Sequence, residues 1–181
     1  LRSSFKLSPS FELLGRRLIL TNADRSFLVL IFGASVFWFA TASSIQIARR
    51  LIPLGLAITA LLVAALAVEP FLYAALLIEV AVLLAVPLVS VPDRKPGKGV
   101  LRFLIYQTLA MPFILFSGWL LTGIEANPGD LMMVTRSTVL LGLGFALLLA
   151  VFPFYAWIPL LAEETHPYLA GFVLWVFPTT T

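Results

Sequence analysis

The stretch LYAALLIEVAVLLAVPLV, residues 72–89, holds seventeen uncharged residues and one carboxylate, Glu79, near its middle. A run this long and apolar matches the ~20 residues a helix needs to cross a bilayer. In lipid the backbone must satisfy its own hydrogen bonds, so the run reads as helix rather than strand. The pattern repeats on both sides of it. Uncharged runs cover 26–48, 51–68, 103–124 and 137–162, and 70–92 is interrupted only by Glu79. The predicted fold is an all-α polytopic transmembrane bundle, with spans over 26–48, 51–68, 70–92, 101–124 and 133–162. Residues 167–181 read as an incomplete sixth span, and 1–25 as an extramembrane segment.

Composition agrees. Of 181 residues 61% are apolar and only 12% charged, about half the charge of a typical soluble domain. The net charge of +3 comes from the joints and the N-terminal segment, which gives nucleic-acid binding no support. Cysteine is absent, which excludes disulfides, thiolate metal ligands and a thiol nucleophile. No Gly-rich phosphate loop, metal-ligand spacing or nucleophile–base set is present, so no cofactor, metal or redox chemistry is expected in this chain. The chain opens on Leu1 and reads as a piece of something longer.

Short joints at 48–50, 68–70, 92–99 and 123–130 force successive spans to run antiparallel. Arg49, Arg50, Arg94, Lys95, Lys98 and Arg102 then share one side, and Glu69, Glu125, Asp130 and Arg136 the other. The positive-inside rule makes loops 48–52 and 92–102 cytoplasmic and the N-terminal segment external. That segment carries five basic residues, Arg2, Lys6, Arg16, Arg17 and Arg25, against the rule. Within it FELLGRRLILT suits a hairpin or an interfacial turn. Pro53 falls at a helix start, whereas Pro87 and Pro112 fall inside spans and predict kinks. Pro153 and Pro159, in VFPFYAWIPLL, predict a break in the helix that starts near 133. Two forms stay open for that break. One is a span ending at Pro153 with an interfacial or re-entrant turn beyond; the other is a discontinuous helix beside a polar path.

Glu79 lies roughly 14 Å from one end of its span and ~20 Å from the other. An ionised acid at such depth costs ~2.5 kcal/mol or more. It is therefore protonated, paired or hydrated, and by default a proton- or ion-path candidate. The plainer alternative is a protonated acid bonding a hydroxyl as glue between helices. Counting the helical rise inward from each external end places Ser35, Thr59 and Ser117 level with Glu79. Gln107 and Arg102 come out nearer the cytoplasmic side, and no second charge shares the level. Trp38, Trp119, Trp157 and Trp175 are candidates for interfacial belts, with Trp38 near mid-span a candidate for packing. The GLG at 142–144 suggests close helix contact. Glu163 and Glu164 read as solvated, and His166 as an exposed loop residue rather than a ligand.

In order along the chain, these features resemble the proton-antiporter-like membrane subunits of respiratory complex I (NADH-quinone oxidoreductase), a family shared with Mrp-type antiporters. FPFYAWIP, with Pro153, Phe154, Tyr155, Trp157 and Pro159, resembles that family's PFHxWLPDA helix break. LLIEVAVLL resembles the helix that carries its glutamate. LRFLIYQTLAMPFILFSGWLLTG resembles the helix that follows, and FELLGRRLILTNADRSFL the short segment before the third. The resemblance implies a partial antiporter-like repeat, from the third helix to the start of the eighth, forming a half-channel. It implies that Glu79 is a proton-path residue answering to a lysine on the broken helix. Here that lysine's position holds Leu148, the family's histidine is Tyr155 and its aspartate Leu160. It further implies a bacterial inner membrane, other respiratory-type membrane subunits and the bilayer as partners, and H+ or Na+ as the ion. The alternatives are a non-conducting subunit that kept the fold and a Mrp-like cation/proton antiporter.

Overall fold

The computed structural model describes residues 10–13, 16–20, 24–45, 47–70, 72–91, 95–126 and 130–180. Most of the sequence-predicted 1–25 segment and the tips of two joints, 92–94 and 127–129, lie outside the described residues. Seven helices are present among those described: α1 (Arg25–Ala42), α2 (Ala48–Ala67), α3 (Leu72–Val89), α4 (Lys98–Ala126), α5 (Leu131–Leu148), α6 (Trp157–Glu164) and α7 (Pro167–Thr180). The first five are long and apolar enough to cross a membrane. The chain is an all-α polytopic bundle and an integral membrane protein.

Packing follows from side-chain size. The buried face of α3 is Ala74, Ala75, Ile78, Ala81, Val82, Ala85, Leu88 and Val89, spaced by threes and fours as one helical stripe. Four of these are alanines, which let α2 approach closely and seat Leu51, Ile58 and Leu62. Outward faces stay apolar, as at Val36 and Phe37 on α1, because lipid rather than water meets them. At one end of the bundle, strands β1 (Ser10–Leu13), β2 (Arg16–Ile19) and β3 (Val68–Glu69) form an antiparallel sheet. Glu69 stands opposite Arg17 in its register, so the chain's first described segment is pinned to the α2–α3 corner.

The helices differ in length in a way that matters below. α4, with 29 residues, is about 44 Å long, whereas α3, with 18, is about 27 Å. They are joined through 90–97, so α4's surplus projects at the far end, the one that carries the sheet.

The discontinuous form of the break is the one present. α5 and α6 both lie along α4, one after the other. Contacts descend α4 in order: Ser117 with Ser137, Gln107 with Leu148, Phe103 with Trp157, and Gly99 with Glu164. The helix stops at Leu148, however, five residues ahead of Pro153. Its end is a Schellman motif: Val151 N–H donates to Ala146 C=O at 2.9 Å and Ala150 N–H to Leu147 C=O at 3.2 Å. The residue that makes the turn is Ala150, at φ +53°, where glycine is usual because it has no Cβ to clash. Pro153 follows the break and keeps the chain from resuming helix at once. Pro159 is the third residue of α6, where its missing N–H has no intrahelical partner to lose. Pro53 likewise sits a turn further into α2 than the sequence suggested, and α2, α3 and α4 run through Pro53, Pro87 and Pro112.

Candidate functional site: an intramembrane acid and a helix break

Glu79 is half-buried on α3 at the seam with α4. Its Oε1 accepts a 2.9 Å hydrogen bond from Thr108 Oγ1, and its Oε2 is buried without a protein partner. Thr108 is exposed on the bundle's apolar outer surface, beside Ile105 and Leu109. The acid therefore sits at the edge of the bundle, where its buried stripe meets the outer face.

The hydroxyls ranked by depth are elsewhere. Thr59 donates to Gly55 C=O within its own helix. Ser117 is bonded to Ser137 across the α4–α5 contact, with the two Oγ atoms 3.0 Å apart. Ser35 Oγ is buried with no protein partner. Gln107 faces α5. For Ser117 the cause is length: a count from the external ends treats the helices as equal, and α4 overshoots there. Measured from the shared end, Glu79 is ten residues from Val89 and Thr108 ten from Lys98, so the two are level.

The break is a second polar locus. A Schellman end leaves the Leu148 carbonyl without a backbone donor, and Gln107 Nε2 supplies one at 3.0 Å. Both residues are buried, Gln107 at 1% exposure and Leu148 at 2%. Gln107 Oε1 and the Trp157 indole N–H, also buried, have no protein partner. Both residues line a cavity of about 150 Å³, walled by Phe103, Val173 and Phe177. An unpaired acceptor and an unpaired donor beside one cavity suit water, which needs both. Of the break motif, Trp157 is buried, Phe154 packs against Tyr106, and Tyr155 is exposed beside Phe152.

Leu148 is on α5 and Glu79 on α3. α4 packs against both α3 and α5, which have little direct contact with each other. Thr108 meets the acid and Gln107, one residue earlier, meets the break. The carboxylate–lysine pairing implied by the resemblance would have to reach across α4.

Other sequence assignments change in detail. Trp38 is packing: it stacks on Trp175 with ring centres 6.1 Å apart, and its Nε1 donates to Tyr168 C=O. Trp119 alone of the four is exposed, at 65%. Gly144 brings α5 onto α4, while Gly142 faces open space. Glu164 is not simply solvated. Its Oε2 accepts from Gly99 N–H at 2.7 Å and caps the first turn of α4 across 65 residues of sequence. Thr165 Oγ1 donates to Val89 C=O at 3.1 Å and caps the end of α3. No cluster of potential metal ligands occurs among the described residues.

Compared with protein-family models, curated proteins and solved structures, the chain matches none.

Proposed function

We propose that the chain is an antiporter-like membrane subunit of an NADH-quinone oxidoreductase-type complex, contributing a proton half-channel centred on Glu79. The observation that carries this reading is the Glu79 carboxylate itself, inside an apolar span with one hydroxyl partner and one unpartnered oxygen. Such a group takes up a proton on Oε2 and passes one through the hydroxyl, which both donates and accepts. The discontinuous α5–α6 helix supports the reading, because the largely apolar cavity beside it holds the unpartnered Gln107 Oε1 and Trp157 N–H, a place for water inside the bundle. In this reading the redox chemistry belongs to other subunits. The membrane is bacterial and cytoplasmic, and the basic joints at 48–52 and 92–102 face inward.

A second reading, a non-conducting scaffold, is favoured by Leu148 and by the helix that separates it from Glu79. Glu79→Gln separates the two in vesicles reconstituted with the assembled complex and an internal pH dye. The expected result is impaired coupled proton movement with intact assembly, and Thr108→Val slows it as well. Unchanged proton movement with normal assembly refutes the channel.

A further inference from the structure

At the end of the bundle opposite the sheet, a cavity of about 430 Å³ lies between the start of α2, the end of α3 and the start of α7. Arg49, Arg50, Ser90 and His166 give it polar walls, and Ile47 and Leu169 apolar ones. We propose that it binds the phosphate of an anionic phospholipid headgroup. The inference is independent of the proton reading.

Charge selects the ligand. Among the described residues no carboxylate lines this cavity, and neither arginine has an ion-pair partner. Among the described residues, the acids at this end are directed elsewhere: Glu163 and Glu164 line a separate cavity with Lys95, and Glu164 is engaged at Gly99. Both arginines line the one cavity, so an anion bound there would meet two positive charges. Arg49 and Arg50 are the second and third residues of α2, whose N-cap, Ile47, offers no side-chain bond. The positive end of a 20-residue helix thus opens at the same place. His166 Nδ1 accepts from Tyr168 N–H at 3.2 Å, so the hydrogen of the neutral ring is on Nε2, a further donor.

Position selects the source. The cavity sits where three apolar helices end, which is the depth of headgroups, and its apolar walls suit a glycerol backbone and the first acyl carbons. Free phosphate has no use for those walls. Basic pockets between transmembrane helices are established headgroup sites in general.

The test uses the purified full-length protein in nanodiscs of phosphatidylcholine with or without phosphatidylglycerol. Native mass spectrometry counts the retained lipid, and thermal denaturation reads its effect. Wild type is expected to retain phosphatidylglycerol over phosphatidylcholine and to melt higher with it. R49Q/R50Q is expected to bind it roughly 30-fold more weakly. R102Q, which removes an exposed arginine at the same end but outside the cavity, is expected to bind it normally. Equal retention of both lipids by wild type, a comparison that needs no variant, overturns the proposal. So does an equal loss in R102Q, which would mean general surface charge. Stabilisation by inorganic phosphate in phosphatidylcholine discs that matches phosphatidylglycerol overturns the lipid assignment too.

Discussion

Two glycines of α5, two residues apart, should respond in opposite ways to the same added methyl group. A Cβ at Gly144 would lie 2.7 Å from Ile114 Cγ1 and 3.3 Å from the Ala110 carbonyl oxygen. Neither neighbour can move easily. Ile114 is buried at 1% exposure and the carbonyl belongs to a helix backbone. A Cβ at Gly142 would meet nothing within 4 Å. Overpacking of this kind costs about 1–3 kcal/mol. Both substitutions gain the same helix propensity, about 0.8–1.0 kcal/mol over glycine. That gain cancels in the comparison, so Gly144→Ala should be less stable than Gly142→Ala by roughly 1–3 kcal/mol. Gly142→Ala itself should be no less stable than wild type. Unfolding in mixed micelles of dodecyl maltoside and sodium dodecyl sulfate, followed by far-UV circular dichroism, measures both. In an Ile114→Ala background the closer clash is gone, and the penalty at Gly144 should fall below half. Equal stability of the two alanine variants would refute the close α4–α5 contact, and with it the alignment that sets Gln107 against Leu148.

Two further outcomes test the devices that hold the break and the bundle's end. Glu164→Ala should lose about 0.5–2 kcal/mol by uncapping α4, with faster hydrogen exchange at residues 98–102; Glu164→Gln, which keeps an acceptor, should lose less. Ala150→Gly removes the Cβ from a left-handed turn. It gains about 1–2 kcal/mol there and gives back about 0.4–1 kcal/mol as unfolded-chain freedom. The variant should therefore unfold slightly later than wild type in the same micelle titration, and earlier unfolding would mean that Ala150 is not in that turn.

What was legible in the sequence is what one residue type signals alone. Apolar runs announce helices in lipid, and Glu79 stands out because almost nothing near it is charged. The break was legible as an event because proline advertises it. Its position was not, because the helix ends on Ala150, and the glycine that usually marks a Schellman end is missing. Thr108 was missed for a geometric reason: depth counting assumes helices of equal length, and α4 overshoots α3 by 11 residues at one end. Glu164 and Thr165 cap helices 65 and 76 positions away. No local pattern carries that information. Arg49, Arg50 and His166 were each read alone, as topology signals and a loop residue, and only the fold places them around one cavity.

The two functional readings part over a small set of atoms. Glu79 Oε2, Gln107 Oε1, Trp157 Nε1 and Ser35 Oγ are the buried side-chain polar atoms left without a protein partner among the described residues. Each unsatisfied group costs about 1–3 kcal/mol, a poor arrangement for a bundle whose only task is to be stable. A scaffold would do better with leucine at 79, where the apolar surroundings are already in place, whereas Gln107 also serves the bundle by donating to the Leu148 carbonyl. Water in the cavity at the break would answer two of them, donating to Gln107 Oε1 and accepting from the Trp157 indole. Gln107 and Thr108 are consecutive on α4, so the route from the acid to the break is around one helix rather than along a file of charged side chains. In the proposed reading, a relay built this way would move protons through water and hydroxyls and would not need a lysine at position 148. On that argument Leu148 counts against the family's particular pairing, and not against proton movement itself.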